Sequence, residues 1–498
     1  MNNPLSLSVA DRAFFELVAR AAFANPFSDV RTVVDRQIAD LTGVTRRADQ
    51  VDAVATRVCA KIKELDARDA ANLSRHAAGD RPALAVAFLF EAFHRWLAAF
   101  DDLLRQQLAA GDTSVAVPFA GDALAGLRRR GFSAVEAERY FAMFYQLRRA
   151  YYLIDHGLTG ASPCMQKLRE LLWNNVFTRD IRLYERHLWD RMEDFSTLLL
   201  GETGSGKGAA AAAIGRSGFI PFDAAQGRFV ESFMRGFMAL NLSQYPASLI
   251  ESELFGHRKG AFTGAVEAHE GVFARCSPHG AIFLDEIGDV AAPVQIKLLQ
   301  VLQDRTFTPV GSHERRRFAG RVIAATNRPL AALRRQGAFR DDFYYRLCSD
   351  VIEVPPLRQR LQEDPRELDR LLRLLVARLI GAERDELARD IRQELHRSPG
   401  PDYCWPGNVR ELEQAVRRLL LTGHYAGQPA PDAAAPEEHL LAGVAAGTLD
   451  AQRLLAGYCA LLHRRHGTYE EVARRAGLDR RTAKRYVLAG KSLSEKEL

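Results

Sequence analysis

The chain predicts a multidomain protein: a helical N-terminal domain, a doubly wound α/β domain with a phosphate-binding loop and a helical lid, and a C-terminal helix-turn-helix. Three observations carry this. The strand-length apolar run 195–200 leads directly into Gly201-Glu202-Thr203-Gly204-Ser205-Gly206-Lys207 and then a run of alanines. Apolar residues before that point recur at helical spacing. The basic excess collects near the C-terminus, around a glycine turn between two short helical patterns.

At 498 residues the chain is too long for one domain. Its composition, 47% hydrophobic and 26% charged, is that of a globular protein. Six scattered cysteines without a C-x-x-C spacing point to a reducing, cytoplasmic setting with neither a disulfide framework nor a zinc site. Met1-Asn2-Asn3-Pro4 has no basic leader character. The most apolar stretch, 83–100, carries Glu91, His94 and Arg95 and reads as a buried amphipathic helix, so no membrane partner is expected.

Residues 1–163 form the helical domain, with stripes such as Phe14, Phe15, Leu17, Val18 and Leu84, Phe88, Phe93, Trp96, Phe100. Such stripes are core patterns. No strand-end phosphoacceptor Asp with partner acids and Lys is recognisable there. Residues 164–194 read as a helical connector. Residues 195–356 alternate strand and helix patterns, closing at Pro355-Pro356, and 357–424 are helix-rich.

Strand, glycine-rich turn and helix together are the context a phosphate loop needs. Backbone N–H groups of the turn and the helix N-terminus face the phosphates, and Lys207 reaches the β- and γ-phosphates. Gly208 stands where a common phosphate loop has a magnesium-binding hydroxyl, and Gly weakens the first helical turn by about 1 kcal/mol against Ala. Ala281 to Leu284 is an apolar strand ending in Asp285-Glu286. Neighbouring strand side chains point opposite ways, so the two acids take different tasks. Asp285 holds the Mg²⁺ shell through water, and Glu286 activates the attacking water. ATP and Mg²⁺ are the implied ligands.

Between these motifs lies Gly260-Ala261-Phe262-Thr263-Gly264-Ala265. Glycines let a loop fold back tightly, which stands Phe262 and Thr263 at its tip, a contact arrangement rather than a core one. On these motifs the chain resembles the bacterial enhancer-binding proteins, AAA+ ATPases that activate sigma-54 RNA polymerase. The resemblance is dense over 165–424 and looser over 447–490. It implies that the hexapeptide contacts sigma-54. It also implies that Asn327 is the sensor I residue and that Arg340 and Arg346 reach a neighbouring subunit's nucleotide. Arg410 would be the sensor II arginine, and Asn241 would restrain Glu286. The family works as hexameric rings, so a homo-oligomer is expected, with the input signal entering through the N-terminal domain.

Residues 425–446 form an Ala/Pro linker. Between 463 and 491 there are nine basic and three acidic residues, a local +6 equal to the formal charge of the whole chain. Residues 469–478 and 480–487 read as two helices around Gly477, with Asp479 as the cap and Val472, Ala473, Leu478, Ala483 and Val487 inside. Arg480, Arg481, Lys484 and Arg485 then face outward as a helix-turn-helix for upstream double-stranded DNA, within a domain spanning 447–498 that resembles the Fis-type module. Two rivals remain: an AAA+ remodeller of another protein, and a regulator that binds ATP but scarcely hydrolyses it. The Gly260–Ala265 loop speaks against the first, and only Gly208 favours the second.

Overall fold

The computed structural model describes residues 4–41, 47–427, 440–441, 443–444, 447 and 449–494. The chain separates into two units, Met1–Gln393 with Gly407–Arg417, and Glu394–Pro406 with Arg418–Leu498.

A five-stranded parallel sheet organises the first unit. Its strands are β1 (Thr197–Leu200), β2 (Phe237–Asn241), β3 (Ala281–Asp285), β4 (Arg321–Thr326) and β5 (Asp350–Glu353), in the order β2-β3-β4-β1-β5. Their apolar runs are nearly continuous because both faces are covered. Alternate residues divide between the faces. Ile282, Leu284, Val322 and Ala324 join one core with Leu298 and Val301 of helix Ala292–Asp304. Ala281, Phe283, Ile323, Ala325 and Ile352 join the other, with helices Lys207–Gly215 and Pro163–Phe177. Parallel pairing puts all the strand C-termini at one edge, where ligand sites of open α/β sheets form.

Helix Pro163–Phe177, in the expected connector, lies on this sheet. Its Asn175 Nδ2 donates to Thr197 Oγ1 (3.0 Å) and Asp350 Oδ2 (2.6 Å). The Arg321 guanidinium returns a hydrogen bond to Asn175 Oδ1 (2.9 Å).

The N-terminal helices are Val9–Phe23, Asp29–Ala39, Arg47–Ala67, Arg81–Arg95, Leu97–Ala110, Ala120–Arg129 and Ala134–Gly157. Ser8 and Ser28 cap the first two, and Ser133 with Glu136 makes a capping box on the last. The apolar stretch 83–100 is two helices rather than one, bent by 55° at Trp96. The Trp96 ring stacks on Phe119 (5.4 Å between centroids), a contact the bend permits. Among the described residues no single helix is long and apolar enough to cross a membrane.

The helical domain and the sheet domain share a core. A hairpin of Phe222–Asp223 and Arg228–Phe229 follows the phosphate-loop helix and enters the bundle. Phe229 stacks on Tyr145 (4.2 Å), and Phe222 meets Phe141 edge-on (4.9 Å). Arg149, fully buried, lies over the rings of Tyr145 and Phe233 (4.9 and 5.4 Å) and donates to the Gly218 carbonyl. Nearby, Gln107 Nε2 donates to Ser232 Oγ (3.0 Å).

After β5 come helices Leu357–Glu363 and Glu367–Ile380. Between them the buried pair Arg360–Glu367 (2.6 Å) holds the end of the N-terminal bundle: Glu367 accepts from Ala161 N–H (2.9 Å), and Arg360 donates to the Thr159 carbonyl.

The second unit contains helices Ala451–His466, Tyr469–Ala476 and Arg480–Ser494. Cys459, Leu462, Val472, Ala473, Ala483 and Val487 are its core, with Leu478 packed against it. Thr468 caps the middle helix, Gly477 ends it in the left-handed region (φ 66°), and Asp479 Oδ1 accepts from Arg481 and Thr482 N–H (3.0 and 2.9 Å). Most of the expected Ala/Pro linker lies outside the described residues.

Phe229→Ala should remove the stacked ring and leave a cavity where bundle meets sheet domain, costing about 3–5 kcal/mol. The check is urea unfolding followed by intrinsic fluorescence: the midpoint falls, and an unchanged midpoint contradicts the shared core.

Candidate nucleotide site and contact loop

The loop Gly201–Gly206 joins β1 to helix Lys207–Gly215, so the helix N-terminus and its free N–H groups face the strand C-termini. Lys207 is 7% exposed, and its Nζ donates to the carbonyls of Gly201 (2.9 Å) and Glu202 (3.1 Å). Burial pulls its ammonium below the ordinary range, against the opposing charges of Glu286 and Asp285. Ser205 Oγ is buried without a hydrogen-bond partner among the described residues.

Segment 407–410 closes over the loop. Gly204 (φ 77°) has no room for a side chain: a Cβ would stand 2.3 Å from the Gly407 oxygen and 2.9 Å from Arg410 Cβ. The Gly204 carbonyl accepts from Val409 N–H (3.1 Å). Asn408 Nδ2 donates to Thr203 O and Glu202 Oε2 (both 3.1 Å), while its Oδ1 accepts from Leu357 N–H (2.7 Å). Arg358 makes a two-point pair with Glu202 (2.6 and 2.8 Å). Arg410 is exposed beside the loop and acts on the Lys207 charge.

Asp285 ends β3, and Glu286 takes the left-handed conformation (φ 56°), uncommon outside glycine. Its N–H donates to Asp285 Oδ1 (3.0 Å), which fixes the turn between the acids. Glu286 Oε2 is buried without a partner among the described residues. Burial, then the Asp285 charge, pushes its carboxyl above the usual range; Lys207 opposes the rise. Asn327 Nδ2 donates to Thr203 Oγ1 (2.8 Å), so the end of β4 also touches the loop.

Lys207, Asp285, Glu286, Asn327 and Arg410 are thus gathered at one edge. Asn241 is Asp285's partner in the β2–β3 register; its Oδ1 accepts from Ser243 N–H (3.0 Å) and Oγ (2.8 Å), and among the described residues its Nδ2 does not donate to the Glu286 carboxylate. Arg340 and Arg346 are exposed on and beside helix Asp341–Leu347. Arg340 pairs with Asp342 (2.6 Å), and Arg346 Nε donates to the Leu302 carbonyl (3.0 Å). Among the described residues neither hydrogen-bonds the phosphate loop of its own chain.

The hexapeptide is an exposed tip on an anchored base. Gly260 and Gly264 have φ of 80° and 97°. Gly260 N–H bonds the Ala265 carbonyl (2.8 Å), and Ala265, which is buried, bonds back to Phe262 (3.0 Å). Phe262 is 37% exposed with its ring against His257 (4.9 Å), and Thr263 is exposed. At the base, His257 exchanges backbone bonds with His269 (2.9 and 3.0 Å), and Arg258 N–H bonds the Val310 carbonyl (3.1 Å).

Sequence reasoning did not give a role to Asn408 or Arg358. Pro406-Gly407-Asn408, a turn signal directly before a helix, was the available cue for the first. Arg358 had none, because its partner lies 156 residues away.

A parallel sheet with a glycine loop after β1, an acid pair after β3, a polar side chain after β4 and a helical lid defines an AAA+ ATPase domain. Residues 181–353 match the family model described as the Sigma-54 interaction domain. The transcriptional regulatory protein ZraR of Salmonella typhimurium is 35% identical over 331 residues, 66% of this chain and 67% of that protein. The DNA-binding transcriptional regulator NtrC of Azospirillum brasilense is 38% identical over 262 residues, covering 53% and 47%. The transcriptional regulatory protein GlrR of Escherichia coli K12 is 36% identical over 274 residues, covering 54% and 56%. The chain belongs to the sigma-54-dependent transcriptional activators.

Two outcomes follow from the site. A Cβ at Gly208 meets nothing nearer than Phe283 Cε1 at 4.0 Å. Gly208→Ala should therefore stabilise the helix, by about 0.5–1 kcal/mol, read as a higher thermal midpoint; a lower one contradicts the fit. A base works only when ionised, and the Glu286 carboxyl is raised, so ATP turnover should fade on acidification above the ordinary glutamate value of about 4.3. A kcat–pH profile flat down to that value contradicts the assignment.

Proposed function

We propose that this chain is an ATP-driven activator that binds upstream double-stranded DNA, assembles into a homo-oligomeric ring, and remodels the sigma-54 RNA polymerase closed complex through Gly260–Ala265. The observation that carries this reading is the placement of that loop. β2 ends at Asn241, in register with Asp285. The chain then passes through the turn Leu242–Gln244 and helix Ala247–Phe255 directly into the loop. A shift at the acid pair therefore has a short, helical route to Phe262 and Thr263.

The phosphates lie along the N–H groups of the glycine loop, with the Lys207 ammonium beside them. The donor set fits a nucleotide with its metal: a carboxylate pair at the loop, and Ser205 Oγ and Glu286 Oε2 buried without partners. Asp285 would hold the shell of a Mg²⁺ ion, whose charge offsets that developing on the phosphates. Glu286 takes the proton as the water oxygen forms its bond to the γ-phosphorus and the bond to the ADP oxygen breaks. Its left-handed backbone turns its side chain away from the Asp285 task. Asn327 and Arg410 read the phosphate end from within the chain. Arg340 and Arg346, exposed and away from their own phosphate loop, suit a role at a neighbour's site, where an arginine stabilises transition-state charge.

The DNA reading rests on the last helices. Arg480, Arg481, Lys484 and Arg485 are all exposed on helix Arg480–Ser494, opposite its buried Ala483 and Val487. Arg480 pairs with Glu470 (2.8 Å), which leaves the other three as the main phosphate contacts. Replacing Arg481, Lys484 and Arg485 together with Ala should weaken promoter-fragment binding and flatten its salt dependence by about 0.9 in slope per lost phosphate contact. Basal ATP turnover should persist; DNA binding unchanged at every salt concentration places the DNA contact elsewhere.

The loop itself is tested with Thr263→Ala. This side chain is remote from the phosphate chemistry, and binding energy at an interface is concentrated in a few side chains, each costing about 2 kcal/mol or more when truncated. ATP hydrolysis should survive, while capture of sigma-54 with ADP–aluminium fluoride and opening of a sigma-54 promoter are lost. Capture by the variant at wild-type level defeats the loop assignment.

A further inference from the structure

A cavity of about 220 Å³ lies at the opposite end of the strands from the phosphate loop. Its walls include Gln146 of the N-terminal bundle, Tyr184, Trp189, Ile214, Phe219 and Arg321. The wall is mostly apolar and aromatic, and its polar side chains include Gln146, Tyr184, Trp189, Glu193, His279 and Arg321. Gln146 hydrogen-bonds the Tyr184 hydroxyl (2.7 Å) and the Ser217 carbonyl (2.9 Å).

Arg321 is the buried cation of this wall. It is 8% exposed. Its Nε donates to the Phe195 carbonyl (2.9 Å), and its Nη2 to Asn175 O (3.1 Å), Asn175 Oδ1 (2.9 Å) and Thr197 Oγ1 (3.1 Å). Nη1 has no acceptor among the described residues, and every acceptor Arg321 does have is neutral. Asp350, bonded to Asn175 rather than to Arg321, acts on it only through space. Burial pulls this guanidinium down to about 10. A buried cation without an anion in contact is costly, and an anionic group reaching Nη1 removes that cost.

We propose that this cavity is an effector site for a small monocarboxylate with a compact apolar body, its carboxylate on Arg321 Nη1 and its body against Tyr184, Trp189 and Phe219. The size fits: an apolar cavity of about 150 Å³ accepts benzene, so 220 Å³ has room for a ring bearing a carboxylate. Asp190, exposed, and Glu193, half-buried, also line the space, and their charges disfavour phosphates and dicarboxylates. An occupant touches Ile214 and Ser217 at the end of the helix that begins with Lys207, and Ala281 and Arg321, the first residues of β3 and β4. It also touches Gln146. Binding there is felt by the N-terminal bundle and by the ATPase framework together.

The test titrates the full chain with benzoate and with benzyl alcohol, similar in size but uncharged, and follows the melting midpoint. Benzoate should raise it in a saturable way. Benzyl alcohol should bind at least about tenfold more weakly, since a hydrogen bond to a charged group is lost. Ala319→Phe fills the cavity and leaves the Arg321 hydrogen bonds in place, and it should abolish the benzoate response. Arg321→Gln should do the same. No response to millimolar benzoate, equal response to both compounds, or a benzoate response surviving in Ala319→Phe overturns the proposal; because wild type alone gives the first two readings, the proposal stays testable if a variant fails to fold.

Discussion

Asn408 ties the lid to the phosphate loop, and the geometry of the site depends on that tie. Fully buried and left-handed (φ 54°), it binds the Leu357 N–H at the start of the lid and the Thr203 carbonyl and Glu202 carboxylate on the loop. A buried amide with its bonds made costs little; with a partner removed it leaves donors and acceptors dry. The tie brings Gly407 and Arg410 so close to Gly204 that only glycine fits there. Loop, segment 407–410 and the start of helix Leu357–Glu363 are therefore tied together through one side chain.

Two other constraints attach to this centre. On one side, the β2–β3 register sets Asn241 against Asp285 and leads through one helix to the exposed Phe262-Thr263 tip. On the other, the hairpin at Phe222 and Phe229 sits in the aromatic core of the N-terminal bundle, and Glu367 holds Ala161 at the bundle's exit. Rigid elements that have few alternative packings transmit displacement rather than absorb it. The N-terminal bundle thus grips both the helix that starts with Lys207 and the lid that carries Asn408.

Much of this was legible in the sequence because it is local. A strand, six loop residues and Lys207 form one phosphate loop whatever the rest of the chain does, and Ala281 to Glu286 declares a buried strand with an acid turn. The C-terminal helices were likewise written in Val472, Ala473, Ala483 and Val487, in Gly477 and in Asp479. What was not legible is long-range. Nothing in the pattern of 218–234 says that Phe222 and Phe229 pack into a bundle some eighty residues upstream. Arg358 looks like any lid arginine until its carboxylate partner is seen. The break at Trp96 escaped because the apolar stripe continues unbroken through it, while the Trp96 ring stacked on Phe119 at the bend is a contact visible only in the fold.

The central claim, that nucleotide chemistry at Glu286 sets the state of the Gly260–Ala265 loop, is tested most directly by hydrogen–deuterium exchange on the wild-type chain. The amides of Gly260 and Ala265, which close the loop through the Ala265 and Phe262 carbonyls, report on it. Their exchange should change when ADP–aluminium fluoride is added, and should not change when it is added to Lys207→Ala. Identical exchange across 256–271 with and without ADP–aluminium fluoride, in protein shown to bind it, would contradict the account.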